Sequence, residues 1–491
     1  MKTINIIIGC ILMFSVVSCD DFLDVRPKAE KLEGDLFKDA DGFESAIYGV
    51  YGSLQVSSLY GKDLLWGVTE ILAQNLQCGA TSVSGLSKYN YTDNDYLRTT
   101  ISNIWSCAYM SIGYANNVLE QLNGWSEEGL PLYNLYKGEM LGVRALLHFD
   151  LLRLFASTDS DAEGIPYVTA YSFSVKPFYK VGEVYGFILD DLLEAERLLQ
   201  GEEQTLAYPH NNENYNKFEN YRETHFNLYA VRALLARVYW MKGDMTNAAK
   251  YAENVIGSNK FPLVEQSEVK DYLAGVLSPK ETIFGIYSPG YLDLSNSYLY
   301  TYTSYHSYNP YDDSSGKTHL FPWTALYNLD ITGGIMQDYR RNHFKSGVGY
   351  ASFLKLVDYY TIEENVPDSR IDLIAGVSLI RTSEMYLIAA EALLDTDPGK
   401  ALQYFNAEIS SRGLTPLPDG TILTGERIYN EYRKELFGEG QTWFNMKRLN
   451  KDILSNEETK TIAASDKIYV LPIPEEEYEY RDTKNESKNN E

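Results

Sequence analysis

The sequence predicts an all-α-dominated fold, in which helix pairs form a scaffold, long irregular insertions interrupt it, and strands are few and short. Three observations lead there. Apolar residues recur at helical spacing through most of the chain, while strand-like alternation is confined to two short stretches. Two helix pairs place small and aromatic residues in one shared register. Between the periodic segments lie stretches rich in Gly, Ser, Asn and Tyr that are too long to be simple connections.

From Asp41, DGFESAIYGVYGSLQ sets Phe43, Ala46, Ile47 and Val50 on one helix face. Further helices are predicted over 103–122, 136–155, 183–199, 226–241 and 246–256. A second series follows over 379–394, 398–409, 427–437 and 442–450. Thr282–Tyr287 and Ile468–Ile473 read as strands. In ALLARVYWMKGDMTNAAKYAENVI, small or aromatic residues fall at Ala236, Tyr239, Ala248 and Ala252. In YLIAAEALLDTDPGKALQYFNAEI they fall at Ala389, Ala392, Ala401 and Phe405, with the same spacing. Such residues let antiparallel helices approach closely, with Gly243 or Asp397-Pro398-Gly399 breaking the chain between them. The pairs resemble tetratricopeptide repeats, but the copies are scattered rather than tandem. The predicted architecture is therefore a tetratricopeptide-like helix-pair scaffold with large insertions.

Charge and composition narrow the function. The formal charge of −25 over 491 residues disfavours nucleic acid and disfavours docking on anionic lipid through a basic face. An uncharged or cationic ligand is easier to reconcile with it. Met1–Ser18, MKTINIIIGCILMFSVVS, has one cation, an apolar run and a small residue before Cys19, as an export signal does. The ending Val16-Val17-Ser18-Cys19 resembles a bacterial lipobox, whose cleavage leaves Cys19 as a lipid-bearing N-terminus. Residues 19–40 then read as a lipidated tether. One α-helical domain is expected over 41–478, with parts 41–257 and 258–478, and 479–491 as a disordered tail. Cys78 and Cys107 lack metal-ligand spacing, and either a disulfide or two free thiols fits them.

No catalytic signature stands out: there is no H-E-x-x-H, no G-x-S-x-G and no phosphate-cradling glycine loop. The chain reads as a binding protein rather than an enzyme. No cofactor or resident metal is expected; calcium would lack a D-x-[DN]-x-[DN]-G loop. ERIYNEYRKELFGEG spaces Glu431 and Glu435 four apart with Arg427 and Arg433 interleaved. That pattern reads as a salt-bridged helix packed by Ile428, Tyr432 and Leu436, not as an acid–base pair. The aromatics say more. Tyr298–Tyr311, YLYTYTSYHSYNPY, alternates and then steps by three, as neither a strand nor an amphipathic helix would. Flat rings cover the C–H face of a sugar, while Asn and Asp bond its hydroxyls. One ring covering ~100 Å² contributes at most ~2.5 kcal/mol, so two rings imply micromolar-to-millimolar affinity.

SCDDFLDVRP at the start is followed by RALLHFDLLRLF before GIPYV, then EVYGFILDDLLEAERLL and IRTSEMYLIAAEALL. ALQYFNAEISSRG, ERIYNEYRKELFGEGQTWFNMKRLN and YVLPIPEEEY complete the order. This series resembles the SusD/RagB family of Bacteroidetes surface lipoproteins, over essentially the whole mature chain and most specifically from Arg381 to Pro474. The resemblance implies a fold of about four tetratricopeptide-like helix pairs whose loops form a ligand site. It implies lipid anchoring at the outer membrane, facing the cell surface, and a SusC-like TonB-dependent outer-membrane transporter as partner. The ligand would be an oligosaccharide. A peptide or other nutrient, or a structural lid with no ligand site of its own, are the alternatives. The family has no universal binding motif, so the site candidates come from composition and from the family's use of its loops. They are Trp66, Tyr89, Tyr91, Tyr298, Tyr300, Tyr302, Tyr305 and Trp323 as stacking rings, with Asn90, Asp93 and Asn296 as hydroxyl partners.

Overall fold

The computed structural model describes residues 36–481 apart from 79, 173, 207–217, 266–267, 269–276, 279, 302–304, 309–325, 328–337, 347–349, 358–375, 456–459 and 480. Residues 1–35, with the expected export signal and Cys19, and Tyr302, Trp323 and residues 482–491 lie outside the described residues. The main helices are α1 (Ala40–Ser53), α2 (Val68–Leu72), α3 (Asp95–Leu122), α4 (Tyr133–Phe155), α5 (Val181–Leu198) and α6 (Leu228–Lys242). They continue with α7 (Met245–Gly257), α8 (Thr382–Ala392), α9 (Pro398–Ser411), α10 (Gly425–Glu435) and α11 (Gln441–Arg448). The strands are β1 (Gln77–Cys78), β2 (Thr282–Tyr287), β3 (Tyr305–Tyr308), β4 (Phe344–Ser346), β5 (Tyr350–Phe353) and β6 (Gly376–Arg381). Helices dominate, as the periodicity predicts.

Helix packing runs as a chain of neighbours: α3 on α4, α4 on α5, α5 on α6, α6 on α7, α7 on α8 and α8 on α9. The alanines singled out by register are where the backbones meet. Ala236, Ala248, Ala252, Ala389 and Ala401 are fully buried, and the Tyr239 ring stacks on Tyr251 at 5.7 Å. Gly243 closes α6 in the left-handed region at φ 86, which a Cβ-bearing residue enters only at a cost. Asp397 opens α9 by accepting from the Lys400 amide, ahead of Pro398 in the first turn. Because α7 packs directly on α8, pairs that are scattered in sequence are continuous in space. Residues 258–381 are thus an excursion that leaves the helix stack and returns to it.

Two expectations fail here. Residues 379–381 do not begin a helix; they end β6, which pairs antiparallel with β2 from Thr282↔Arg381 to Tyr287↔Gly376. An apolar run cannot reveal a ladder partner so far away in sequence, and the ladder decides the conformation. Ile468–Ile473 is not a strand: Asp466–Tyr469 is one helical turn, and only the Leu471 amide reaches another segment, donating to the Leu154 carbonyl at 2.9 Å. Pro472 and Pro474 remove the donors that a ladder would need.

The β2–β6 pair forms the neck of the excursion. Beyond it, a four-stranded sheet of order β1-β3-β5-β4 joins this insertion to residues 77–78 of the earlier one. One contiguous apolar core runs beneath, from Phe37 to Leu471.

Candidate functional site

The candidate residues fall in two places. The first is the outer face of the excursion. A helical turn, Tyr291–Ser295, widens into a π-helical turn over Asn296–Thr301, ahead of β3. The wide turn breaks the 3.6-residue register. Leu299 points fully inward, whereas Tyr298 stays 37% exposed and Tyr300 and Asn296 half-exposed. Trp66 is wholly buried, with its indole 5.9 Å from the Tyr298 ring and facing the Tyr291 hydroxyl as a hydrogen-bonding neighbour. It is therefore the floor beneath Tyr298 rather than a free platform, because Leu64 to Leu76 is buried throughout and fixes it.

Two lysines that sequence reasoning missed sit over these rings. The Lys62 ammonium lies 6.0 Å from the Tyr298 ring centroid and pairs with Asp63 at 3.2 Å. Burial pushes the Asp63 carboxyl up to about 6, against the pull of Lys62. From β4, Lys345 lies 5.3 Å from the Tyr300 centroid and donates to its hydroxyl at 3.3 Å. Such cation–π contacts hold a phenol in place. Nothing in the local sequence signals them, since β-pairing brings Lys345 to Tyr300 from 45 residues away. Tyr305 pairs through its backbone with Cys78.

The second place is a cleft of about 580 Å³ lined by Tyr89, Asn90, Tyr91, Phe155 and the segment from Val470 to Ile473, and by none of the insertion-face residues. Of its three tyrosines, Tyr89 and Tyr91 are interior and Tyr478 is exposed. The Tyr89 hydroxyl donates to the Leu72 carbonyl at 2.8 Å and accepts from Gln74 at 3.0 Å, and its ring lies nearly parallel to Trp443. The Tyr91 hydroxyl donates to the Ile468 carbonyl. Each phenol thus spends its hydroxyl on the backbone, as a buried tyrosine must. Asn90 and Asp93 are exposed and bond each other at 3.2 Å. The structure brings Trp66, Asn296, Tyr298 and Tyr300 together and leaves Tyr89, Asn90 and Tyr91 at the cleft, with Asp93 beside it through its bond to Asn90.

The ionic reading of α10 needs a correction. Glu431 and Glu435 are not surface residues: both are buried and bonded to arginines from elsewhere in the fold, and Glu431 also keeps a partner on its own helix, Lys434 at 2.7 Å. Arg433 instead donates to Asn75 at 2.8 Å, and Arg427 lies over the Phe405 ring. The helix is covered on the side where Glu431, Lys434 and Glu435 stand, so the arginines that meet these carboxylates come from other elements. Cys78 and Cys107 are free thiols, each half-buried. Among the described residues no group of His, Cys, Asp and Glu could hold a metal ion, and no helix is long and apolar enough to cross a membrane.

Comparison with known proteins agrees with this architecture. Residues 21–240 match the SusD-like family model described as "Starch-binding associating with outer membrane", and residues 336–491 match the SusD family model. The SusD-like protein P38 of Formosa agariphila is 22% identical over 92% of both chains. A SusD superfamily protein of Bacteroides thetaiotaomicron superposes with TM-score 0.72 at 23% identity, covering 90% of this chain and 98% of that one. A putative sugar binding protein of Bacteroides vulgatus superposes with TM-score 0.67 at 23% identity, covering 88% and 95%. With two SusD family models together matching most of its length, the chain belongs to the SusD/RagB family.

Proposed function

We propose that this protein is a lipid-anchored, cell-surface binding protein that captures an oligosaccharide and passes it to a SusC-like TonB-dependent outer-membrane transporter. The observation that carries the reading is the pair of partly exposed rings, Tyr298 and Tyr300, on one turn above the Trp66 floor. Half-exposed phenols held by lysines can stack on sugar rings without first being ordered, which lowers the entropic cost of binding. The family description and the sugar-binding neighbour support the ligand class. Anchoring would rest on Cys19. In the cell, Cys19→Ala is expected to move the protein from the membrane to the soluble fraction, and unchanged retention refutes the anchor.

The ligand reading is tested by calorimetric titration of the mature chain with neutral oligosaccharides and, separately, with mixed peptides. Saturable micromolar-to-millimolar binding of an oligosaccharide is expected. Saturable binding of peptides alone would make this a peptide receptor. Saturation by neither would leave a lid that has no ligand of its own.

A further inference from the structure

Where the excursion crosses the scaffold, it sends charged side chains into one buried cluster. Glu281 stands just before β2, Asp338 and Arg340 before β4, Lys355 just after β5, and Arg381 at the end of β6. The scaffold answers with Glu408 and Arg412 from α9, with Glu431, Lys434 and Glu435 from α10, and with Glu439 beyond it. None of these residues is more than 7% exposed. Arg340 forks onto Asp338 at 2.7 and 2.9 Å and reaches Glu435 at 3.0 Å. Arg381 bonds Glu281 at 2.9 Å, Glu435 at 2.7 Å and Glu439 at 2.6 Å. Arg412 bonds Glu281 and Glu435 at 2.8–2.9 Å. Lys355 donates to the Glu435 carbonyl at 2.7 Å, and Lys434 pairs with Glu431 at 2.7 Å. The β4–β5 hairpin, which carries Lys345 to Tyr300, is thus stapled to the helix stack at both feet.

The charges do not balance. Among the described residues, five cations (Arg340, Lys355, Arg381, Arg412 and Lys434) face six carboxylates (Glu281, Asp338, Glu408, Glu431, Glu435 and Glu439). One carboxylate is held far more loosely than the rest. Glu408 Oε1 lies 3.4 Å from Arg340 and 3.6 Å from Arg412, and its buried Oε2 has no hydrogen-bond partner among the described residues. An uncompensated charge in so sealed a volume is strongly disfavoured, and a proton on the loosest group removes it. We propose that this cluster is the positioning device of the tyrosine-bearing insertion and keeps one proton, on Glu408, as part of its native structure. The inference stands whether or not the insertion takes a ligand.

Burial, and the nearby Glu431 charge after it, hold the Glu408 carboxyl well above the usual carboxylate range, against the pull of Arg340 and Arg412. The neighbouring His343 is buried too, and burial and then Lys355 hold it well below the usual histidine range, so it stays neutral. With Glu408 raised in the docked state, docking strength is full below the ordinary carboxylate value and is lost as pH rises toward the raised one. Within that window local opening becomes roughly tenfold easier per pH unit, because the opened state releases one proton.

Hydrogen exchange on the mature chain reads this directly. After correction for intrinsic rates, protection of amides 344–346 and 350–354 is expected to fall by up to roughly tenfold per pH unit as pH rises above the ordinary carboxylate range, while α6 and α7 amides keep theirs. Glu408→Gln, which matches the protonated carboxyl in shape and charge, is expected to fold and to flatten that slope. Arg340→Gln is expected to lower hairpin protection at every pH. A flat wild-type profile, a Glu408→Gln variant that fails to fold or keeps the wild-type slope, or an Arg340→Gln hairpin as protected as the wild type would each overturn the proposal.

Discussion

Replacing Glu435 with Gln is expected to cost about 3–5 kcal/mol of folding stability at neutral pH, the range for removing one partner of a buried ion pair. Burial alone would push this carboxyl up, but Arg412, Arg381 and Arg340 outweigh it and hold it well below the usual range. Since its folded value is depressed, the stability it contributes is present above the ordinary carboxylate value and is lost as pH falls through the folded one. In Glu435→Gln, Glu408 stands beside two of the same arginines and can release its proton to restore part of the balance. The Glu408→Gln/Glu435→Gln double variant should therefore lose more than the two single losses together. Urea midpoints followed by far-ultraviolet circular dichroism measure both effects. A single-variant loss below about 1 kcal/mol, as for a surface pair, would contradict the account.

The second large effect is expected at Gly440, which precedes α11. Its φ is 75, in the left-handed region, and a Cβ there would stand 2.0 Å from the Leu64 carbonyl oxygen. Its amide also donates to the buried Glu70 carboxylate at 3.0 Å. Gly440→Ala is expected to cost about 3 kcal/mol, of which ~1 comes from the backbone conformation and the rest from overpacking. Gly243→Ala is the matched control: its φ is 86, but nothing lies within 4 Å of the added methyl, so ~1 kcal/mol is expected. Equal losses in the two variants, read from the same urea curves, would show that the contact with Leu64 is unimportant. Leu64 leads into Trp66, so Gly440→Ala should also disturb the floor beneath Tyr298.

Helices such as α1, α3 and α5 were legible because each buries a stripe at 3.6-residue spacing, and the shared alanine register located the closest backbone approaches. The start of α8 was misread because β6 is apolar in a way that suits either conformation, and its partner β2 lies across the whole excursion. The ion cluster could not be read from sequence at all. Arg340 and Glu435 are 95 residues apart, and a charged residue on a helix gives no local sign of whether it will face water or a guanidinium. Aromatic candidates were ambiguous for a related reason. A tyrosine buried with its hydroxyl on a carbonyl, like Tyr89 or Tyr91, and one left half-exposed, like Tyr300, look the same in sequence. What separated them was the π-helical turn over Asn296–Thr301 and the β1–β3 pairing, neither of which leaves a local pattern.

The central claim is that the insertion face is an oligosaccharide site built on Tyr298 and Tyr300. Titrating the bound neutral oligosaccharide into the wild type and into the Tyr298→Ala/Tyr300→Ala double variant tests it most directly. At least about tenfold weaker binding by the variant is expected, ~1.4 kcal/mol or more, with an unchanged urea midpoint. Equal affinity for both proteins would contradict it.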